Sequence, residues 1–174
     1  MLSVIIPVLD DEPALLDTVA ALVPAAAEGV VRDMWLVAPR LEGYPAVVAD
    51  AAGCGIVEAG GSRGAMLAAA AARARSAWTL TLEPGLVPAG GWMQEAADFV
   101  ASADGEREAA VFSLTPRGGH GRLAAGMTNW RASLFGRGRP AQGLIVATAR
   151  LAAGNTPPRA VRLASPIIDR RSRG

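Results

Sequence analysis

The sequence predicts an α/β domain built on a mostly parallel central sheet. Short apolar runs rich in β-branched residues alternate with helical patterns over the first 115 residues, which is the spacing of strands joined by helical crossovers. The first run, Leu2–Leu9, is apolar on both faces, as expected for a strand in the middle of a parallel sheet. Pro7 is expected at the carboxyl end of that strand, where the loss of one N–H is tolerated.

The later elements follow from the same patterns. Pro13 comes after three acidic residues and opens a helix, and Ser62 is a favoured cap for the Ala-rich helix behind it. Beyond residue 115 the patterns weaken to one helix at 123–135 and one apolar run at 144–147. Further strands are predicted at residues 30–38, 55–59, 78–82 and 109–114, and further helices at 44–52 (or a turn), 63–76 and 91–101.

A chain of 174 residues is the length of one domain. We assign residues 1–155 to this domain. Residues 156–174 are rich in Arg and Pro and form a C-terminal tail, part of which we expect to be disordered.

The composition excludes several classes of protein. The single Cys54 rules out a disulfide framework and a multi-cysteine zinc site, and it predicts a cytoplasmic location. The first residues lack the basic flank of a signal peptide. The Ala-rich run at 65–72 is far shorter than the ~20 apolar residues of a membrane span.

The net charge of +1 hides an asymmetry. Residues 1–116 carry 6 Arg and 15 acidic residues, a net charge of −9, whereas residues 117–174 carry 11 Arg and Asp169 alone, a net charge of +10. This overall balance argues against a nucleic-acid-binding protein. Two interpretations of the basic segment stay open. It neutralises the acidic body within the fold, or it binds an anionic partner, including a peripheral contact with a membrane.

Ligands of open α/β sheets bind at the carboxyl ends of the strands, and three such ends carry polar groups. Asp10–Glu12 follows the first strand, although acids there can serve merely as a helix cap. Gly60–Gly64 turns into a helix with Arg63, so that backbone N–H groups and a guanidinium could face a phosphate. That turn matches neither the dinucleotide nor the P-loop pattern. Glu83 follows the fourth strand.

Four segments in order, SVIIPVLDDE, GSRGAMLAAA, LTLEPGLVP and QGL, cover nearly the whole chain, and together they resemble the family 2 glycosyltransferases. The stretch SVIIPVLDDE resembles that family's SVIIPxxNEE, and GSRGAMLAAA resembles GRxxQMNAGA. The stretch LTLEPGLVP, followed by Gly-Trp, resembles LFLDAD…P…GW, and QGL resembles DQGLF. These segments begin at Ser3, Gly61, Leu80 and Gln142, and the closest type is a compact bacterial subgroup.

The resemblance implies the GT-A fold, a Rossmann-like three-layer α/β/α sandwich, and a nucleotide-diphosphate sugar as donor. Members of the family hold the leaving diphosphate with Mg²⁺ or Mn²⁺, and an acidic residue deprotonates the acceptor hydroxyl. Carried onto this chain, the resemblance implies nucleotide-sugar-binding positions at Pro7, Asp10, Asp11, Glu12, Arg63 and Glu83, and acceptor-side positions at Trp130 and Gln142.

The sequence departs from the family where the chemistry is concentrated. The Asp-x-Asp position reads Glu83-Pro84-Gly85, so the second metal ligand is a glycine. The acid near the C-terminus becomes Ala164 or Ser165, and the Asp before Gln142 becomes alanine. One carboxylate is a poor site for a hard cation, which needs several oxygen ligands. We therefore assign no metal site, with Glu83 a weak candidate, and predict weakened or lost metal-dependent sugar transfer.

Three functional hypotheses follow. In the first, the protein is a glycosyltransferase in which guanidinium groups hold the diphosphate in place of a metal, with Arg63, Arg137 and Arg139 as candidates. In the second, it is a non-catalytic binding or regulatory module that keeps the scaffold, a pseudoenzyme. The third is a nucleotidyltransferase, because Glu58–Arg63 superficially resembles a loop of the molybdenum-cofactor guanylyltransferases. In those enzymes, however, the loop follows the first strand.

Overall fold

A computed structural model of the protein describes residues 1–9, 12–103, 108–114, 142–155 and 160–171. Within these residues the chain forms eight strands, a 3₁₀ turn and five α-helices. The strands are β1 (Leu2–Pro7), β2 (Val31–Ala38), β3 (Gly55–Glu58), β4 (Trp78–Thr81), β5 (Leu86–Pro88), β6 (Ala109–Leu114), β7 (Leu144–Ala147) and β8 (Ala160–Asp169). The 3₁₀ turn spans Glu12–Ala14, and the helices are α1 (Leu15–Ala27), α2 (Tyr44–Ala52), α3 (Arg63–Ala71), α4 (Trp92–Ser102) and α5 (Thr148–Ala152).

All eight strands join one sheet in the order β3-β2-β1-β4-β7-β6-β8-β5. The pairs from β3 to β4 are parallel, as is the pair β6–β8, whereas β4–β7, β7–β6 and β8–β5 are antiparallel. The predicted mostly parallel sheet is thus confirmed. Because β1 to β4, β6 and β8 run in the same direction, their carboxyl ends meet at one edge, where β7 begins.

Helices cover both faces of the sheet, in the three-layer arrangement that the resemblance implies. Alternate residues of β1 point to opposite faces, as the period of a strand requires. Val4 and Ile6 join the larger buried cluster with α1, α2 and α4. Ile5 joins a second cluster with α3 and α5.

Helix α1 packs through one apolar stripe. Its buried residues recur at helical spacing and belong to the larger buried cluster, in which α1 lies against β2 and β5. Pro7 is the last residue of β1, as predicted. The buried residues of α1 are Leu15, Thr18, Val19, Leu22 and Ala25.

Helix α3 ends five residues earlier than the predicted boundary at Ser76. The reason is a competing set of hydrogen bonds. The backbone N–H groups of Arg75 and Ser76 donate to Oγ of Ser3 over 3.1 and 3.0 Å, and that of Arg75 also donates to Asp33 over 3.2 Å. These polar groups at the amino ends of β1 and β2 draw the backbone out of the helix, which the high helix propensity of the Ala run does not reveal.

Residues 160–169, which the sequence assigns to the C-terminal tail, form β8 and lie between β6 and β5. Ala160, Leu163 and Ile167 are buried in this strand. The composition of this segment does not predict a strand, because it contains polar residues and Pro166, and Pro is unusual in an interior strand. The three-residue β5 and the short α5 were also not predicted. The predicted helix at 123–135 lies outside the described residues.

In the part of the chain that the structure describes, no helix is both long enough and apolar enough to cross a bilayer.

Candidate functional site

The carboxyl edge of the sheet gathers charged residues from three separate segments. Glu83 lies two residues beyond β4, Arg63 is the first residue of α3 beyond β3, and Asp169 is the last residue of β8, with Arg171 two residues further on. The parallel direction of β3, β4 and β8 brings these positions together, although 108 residues separate the first from the last.

Arg63 and Glu83, which the sequence places at two different strand ends, contact each other. Ser62 caps α3 as predicted, since its Oγ accepts a hydrogen bond of 3.2 Å from the N–H of Ala65. This cap fixes the first turn of the helix. From that turn, Nη2 of Arg63 lies 3.4 Å from Oε1 of Glu83.

Arg171 joins the two carboxylates of the site. Its Nη1 donates to Oε2 of Glu83 over 3.0 Å. Its Nε and Nη2 donate to the two oxygens of Asp169 over 2.9 and 2.8 Å, and its backbone N–H donates to Oδ1 of Asp169 over 3.0 Å. The fork of the guanidinium therefore engages Asp169 with two parallel bonds, the strong geometry for this pair. We call Arg63, Glu83, Asp169 and Arg171 the edge cluster.

The edge cluster is partly shielded from water and internally balanced. Its side chains keep 33% (Arg63), 21% (Glu83), 24% (Arg171) and 36% (Asp169) of their exposure. Two guanidinium groups face two carboxylates, so the formal charges cancel. Partial burial makes these contacts less sensitive to salt than contacts between fully exposed charges.

Gly85 packs directly against the stem of Arg171 in the edge cluster. It adopts φ +82°, the left-handed region that favours glycine. A Cβ atom at this position would lie 2.5 Å from Cγ of Arg171 and 3.0 Å from Cβ of Ala14. The backbone N–H of Gly85 donates to the carbonyl of Ala14 over 3.0 Å, and its carbonyl accepts from Arg170 over 2.7 Å. The glycine thus holds the ends of β4 and β8 and the 3₁₀ turn together.

The described residues of the carboxyl edge do not fit the divalent metal that the resemblance implies. Both carboxylate oxygens of Glu83 and both of Asp169 face guanidinium groups. The second ligand position of the family, Gly85, has no room for a side chain. Among the described residues no group of three or more His, Cys, Asp or Glu is placed to hold a metal ion. Mg²⁺ and similar hard cations require near-complete shells of oxygen ligands.

The other predicted site residues lie either near the edge cluster or outside the described residues. Pro7 is buried at the end of β1, and Glu12 begins the 3₁₀ turn that contacts the edge cluster through Ala14. Asp10, Asp11 and Trp130 lie outside the described residues, as do Arg137 and Arg139.

Gln142, predicted on the acceptor side, is fully buried just before β7. Its Nε2 donates to the carbonyl of Phe112 over 3.1 Å. The next residue, Gly143, has φ +64°, and a Cβ there would lie 3.0 to 3.3 Å from side-chain atoms of Leu82, Phe112 and Ile167. In this position the amide of Gln142 helps to join β6 to the start of β7 at the carboxyl edge.

Ala164 and Ser165, which were aligned with the family's catalytic acid, lie in the middle of β8 rather than at the edge. The pairing of β6 with β8 shifts at this point, and the carboxylate of Glu95 on α4 accepts their N–H groups over 2.5 and 2.7 Å. Burial raises the pKa of Glu95. The hydrogen bonds from the backbone N–H groups of Ala164 and Ser165 outweigh burial and lower the pKa below the ordinary 4.5.

Asp169 and Arg171 were missed as site residues. The sequence contains a local signal for them, because Asp169 directly follows the apolar residues Ile167 and Ile168. An acid directly after a strand-like run is the same signal that identified Glu83. This signal lies in the segment that the composition predicts to be a tail.

No protein-family model matches the sequence, and no curated protein matches it. Solved structures share its fold. Glucosyl-3-phosphoglycerate synthase from Mycobacterium tuberculosis, in complex with Mn²⁺, UDP and glucosyl-3-phosphoglycerate, matches with a TM-score of 0.63 and 14% identity over 100% of this chain and 73% of that one. The same enzyme with Mn²⁺ and UDP-glucose matches with a TM-score of 0.64 and 14% identity, over 100% and 72%. A structure described as a mycobacterial protein matches with a TM-score of 0.65 and 16% identity, over 100% and 68%.

The synthase structures are those of a family 2 glycosyltransferase with a GT-A fold. Sequence identity of 14 to 16% carries information about the fold rather than about the chemistry. The chain adopts the GT-A glycosyltransferase fold that its sequence motifs imply.

Proposed function

We propose that the protein binds a nucleotide-diphosphate sugar at the edge cluster and that its metal-dependent sugar transfer is weakened or lost. The contact between Arg63 and Glu83 carries the proposal. It places a cation beside the capped N-terminus of α3, at the edge of a fold whose solved neighbours bind UDP and UDP-glucose. A cytoplasmic location, where thiols stay reduced, fits the single Cys54.

Arg63 is the residue of the cluster best suited to a diphosphate. Its 3.4 Å contact with Glu83 is longer than a good hydrogen bond, and a third of its side chain is exposed. The guanidinium can therefore turn from the carboxylate to a phosphate, which it binds with two parallel bonds. Backbone N–H groups at the start of α3 add a favourable field for an anion.

Sugar transfer breaks the bond between the anomeric carbon and the diphosphate oxygen and forms a bond to the acceptor oxygen. The departing diphosphate needs positive charge, and the attacking hydroxyl needs a base. Arg63 can supply charge at this position. The loss of one such electrostatic group typically lowers the rate by about 10²–10³-fold, so departures at several family positions fit a protein that binds the donor and transfers slowly.

The test is calorimetric titration with UDP-glucose and GDP-glucose in EDTA and again with Mn²⁺. We expect binding of at least one donor in EDTA. We expect Arg63→Ala to weaken it about tenfold, the effect of losing one charge-assisted contact. Arg40→Ala is the matched control, since that arginine is 77% exposed and pairs with Glu42. Absence of binding at millimolar donor contradicts the proposal.

A non-catalytic binding module is the second candidate function, and one observation favours it. Arg171 engages both oxygens of Asp169, the acid of β8 nearest the site, which hinders that carboxylate from accepting a proton from a hydroxyl. Release of UDP from UDP-glucose distinguishes the two candidates. Release above the uncatalysed rate supports a transferase, whereas donor binding without release supports the module.

A further inference from the structure

We propose that Arg171 is a built-in cation that bridges Glu83 and Asp169 and makes this site unable to bind Mg²⁺ or Mn²⁺. The inference concerns the same site as the proposed function, and it rests on that function only for the role that the cation would have toward a diphosphate. The geometry that supports it is independent of any nucleotide.

The first support is the way in which the guanidinium uses its donors. Three of its nitrogens donate, one to Glu83 and two to Asp169, over 2.8 to 3.0 Å. Between them these bonds reach three of the four carboxylate oxygens, and Arg63 faces the fourth at 3.4 Å. A divalent ion would have to displace Arg171 from one charge-assisted contact to reach Glu83 and from two to reach Asp169.

The second support is the packing of the arginine stem. The stem lies against Gly85, so closely that a Cβ on the glycine would overlap Cγ of Arg171. The backbone N–H of Arg170 donates to the carbonyl of Gly85 over 2.7 Å. The backbone directly before Arg171 is therefore held against Gly85, and so is the stem of its side chain. In addition, the position at which the family provides a second metal ligand is closed.

The third support is the number of ligands. Among the residues that the structure describes, removal of Arg171 would leave two carboxylates at this junction, those of Glu83 and Asp169, which is enough for weak binding of a divalent ion but not for a complete shell. The arginine therefore determines whether this edge of the sheet attracts a metal. Its charge is part of the chain and does not depend on the supply of divalent ions.

The test is Mn²⁺ binding followed by the electron paramagnetic resonance signal of the free ion, without any nucleotide. We expect the wild-type protein to leave the signal of about 1 mM Mn²⁺ unchanged. Arg171→Met keeps much of the aliphatic stem packed on Gly85 but removes the charge, and we expect it to bind Mn²⁺ at least about tenfold more tightly than wild type. Asp169→Asn in the same chain should abolish this gain.

Two control variants locate the effect. Arg171→Lys keeps a cation and should behave as wild type. Arg170→Ala removes the neighbouring guanidinium, which is 3.9 Å from Asp17, and should also leave Mn²⁺ unbound. Far-UV circular dichroism and thermal unfolding establish that each variant is folded.

A loss of free-ion signal when the wild-type protein is mixed with about 1 mM Mn²⁺ would overturn the inference, and so would a folded Arg171→Met variant that gains no affinity. If that variant does not fold, the wild-type and Arg171→Lys titrations still decide, because tight binding by either one contradicts a resident cation. A failure of UDP-glucose to bind would count against the proposed function alone, since no nucleotide is present in this experiment.

Discussion

Gly85 determines how closely two segments of the chain approach each other at the site. With φ +82° it turns the backbone beyond β4 in a way that side chains rarely allow. The absence of a Cβ then leaves room for the stem of Arg171. One residue therefore meets two separate requirements, a backbone conformation and a steric one.

These two requirements can be separated by comparison with Gly29. Gly29 has a similar φ of +75° but nothing within 4 Å of the position of its Cβ. Gly29→Ala should lower the free energy of unfolding by about 1 kcal/mol through backbone strain alone. Gly85→Ala should lower it by about 2–4 kcal/mol, because overpacking adds about 1–3 kcal/mol. Urea unfolding of both variants measures the difference, and equal losses would show that Arg171 does not press on Gly85.

Single residues were predictable from the sequence where their role depends on near neighbours. Ser62 was expected as a cap and Pro7 at a strand end, and both lie there. The contact between Glu83 and Arg171 could not be read in this way, because it spans 88 residues and no local pattern encodes it. The sequence therefore indicated which edge of the sheet carries charge, but not that Arg171, two residues beyond β8, binds the carboxylate there.

The junction of α4 with β8 shows how one element is fixed by another. The pairing of β8 shifts near Ala164 and Ser165, which leaves two N–H groups without a partner in the ladder. Glu95 on α4 accepts both of them, while Oγ of Ser165 donates to the carbonyl of Gly90 over 3.0 Å. A helix side chain thus completes the hydrogen bonding of a strand.

This junction should make stability depend on pH. Because the pKa of Glu95 is lowered in the folded protein, its carboxylate stabilises the fold above the ordinary pKa of 4.5, and the contribution is lost as the pH falls through the lowered value. We expect Glu95→Gln to reduce the free energy of unfolding by about 1–2 kcal/mol at pH 7. The difference from wild type should shrink toward zero in acid, since a protonated carboxyl resembles the amide.

Urea unfolding between pH 7 and pH 3 measures this difference. Glu42→Gln is the control, because that carboxylate is 72% exposed beside Arg40 and should change stability by less than about 1 kcal/mol. A Glu95→Gln difference that stays constant across the pH range would contradict the assignment of the bonds to the charged form.

Helices and strands could be predicted from the sequence where residues close in the chain stabilise them, and could not where distant residues do. Strands β1 to β4 and the helices between them were predicted because apolar periodicity and caps specify them. The three residues of β5 are too few to form a pattern, and β8 owes its place to Glu95 and to the strands on either side. Likewise, the end of α3 depends on Ser3 and Asp33 in distant strands.

The charge asymmetry of the whole molecule has a structural counterpart. Arginines of the basic segment contact acids of the acidic body, as Arg171 does with Glu83 and Arg170 with Asp17. Of the two interpretations that the sequence left open, neutralisation within the fold is supported by these contacts. The acidic and basic parts of the sequence therefore belong to one folded unit, in which their charged side chains form ion pairs.

We propose that the domain extends to residue 171, and truncation tests its extent. A chain ending at residue 155 lacks an interior strand, and β5 loses its partner. We expect this chain to lose its cooperative urea transition and to bind a hydrophobic dye, as proteins without fixed packing do. Ile167→Ala in the full chain should cost about 2–4 kcal/mol and keep the transition. Cooperative unfolding of the shortened chain would restore the boundary at 155.

The position of β8 between β6 and β5 has a consequence for synthesis on the ribosome. Between Pro88, the end of β5, and Ala160, the start of β8, lie 71 residues, which take about 4–14 s to add at ~5–20 residues per second. During that interval Leu86 and Val87, which are both buried in the folded sheet, lack the strand that pairs with theirs. The nascent chain therefore exposes apolar residues and an unpaired strand edge, and these are the features that chaperones protect from aggregation.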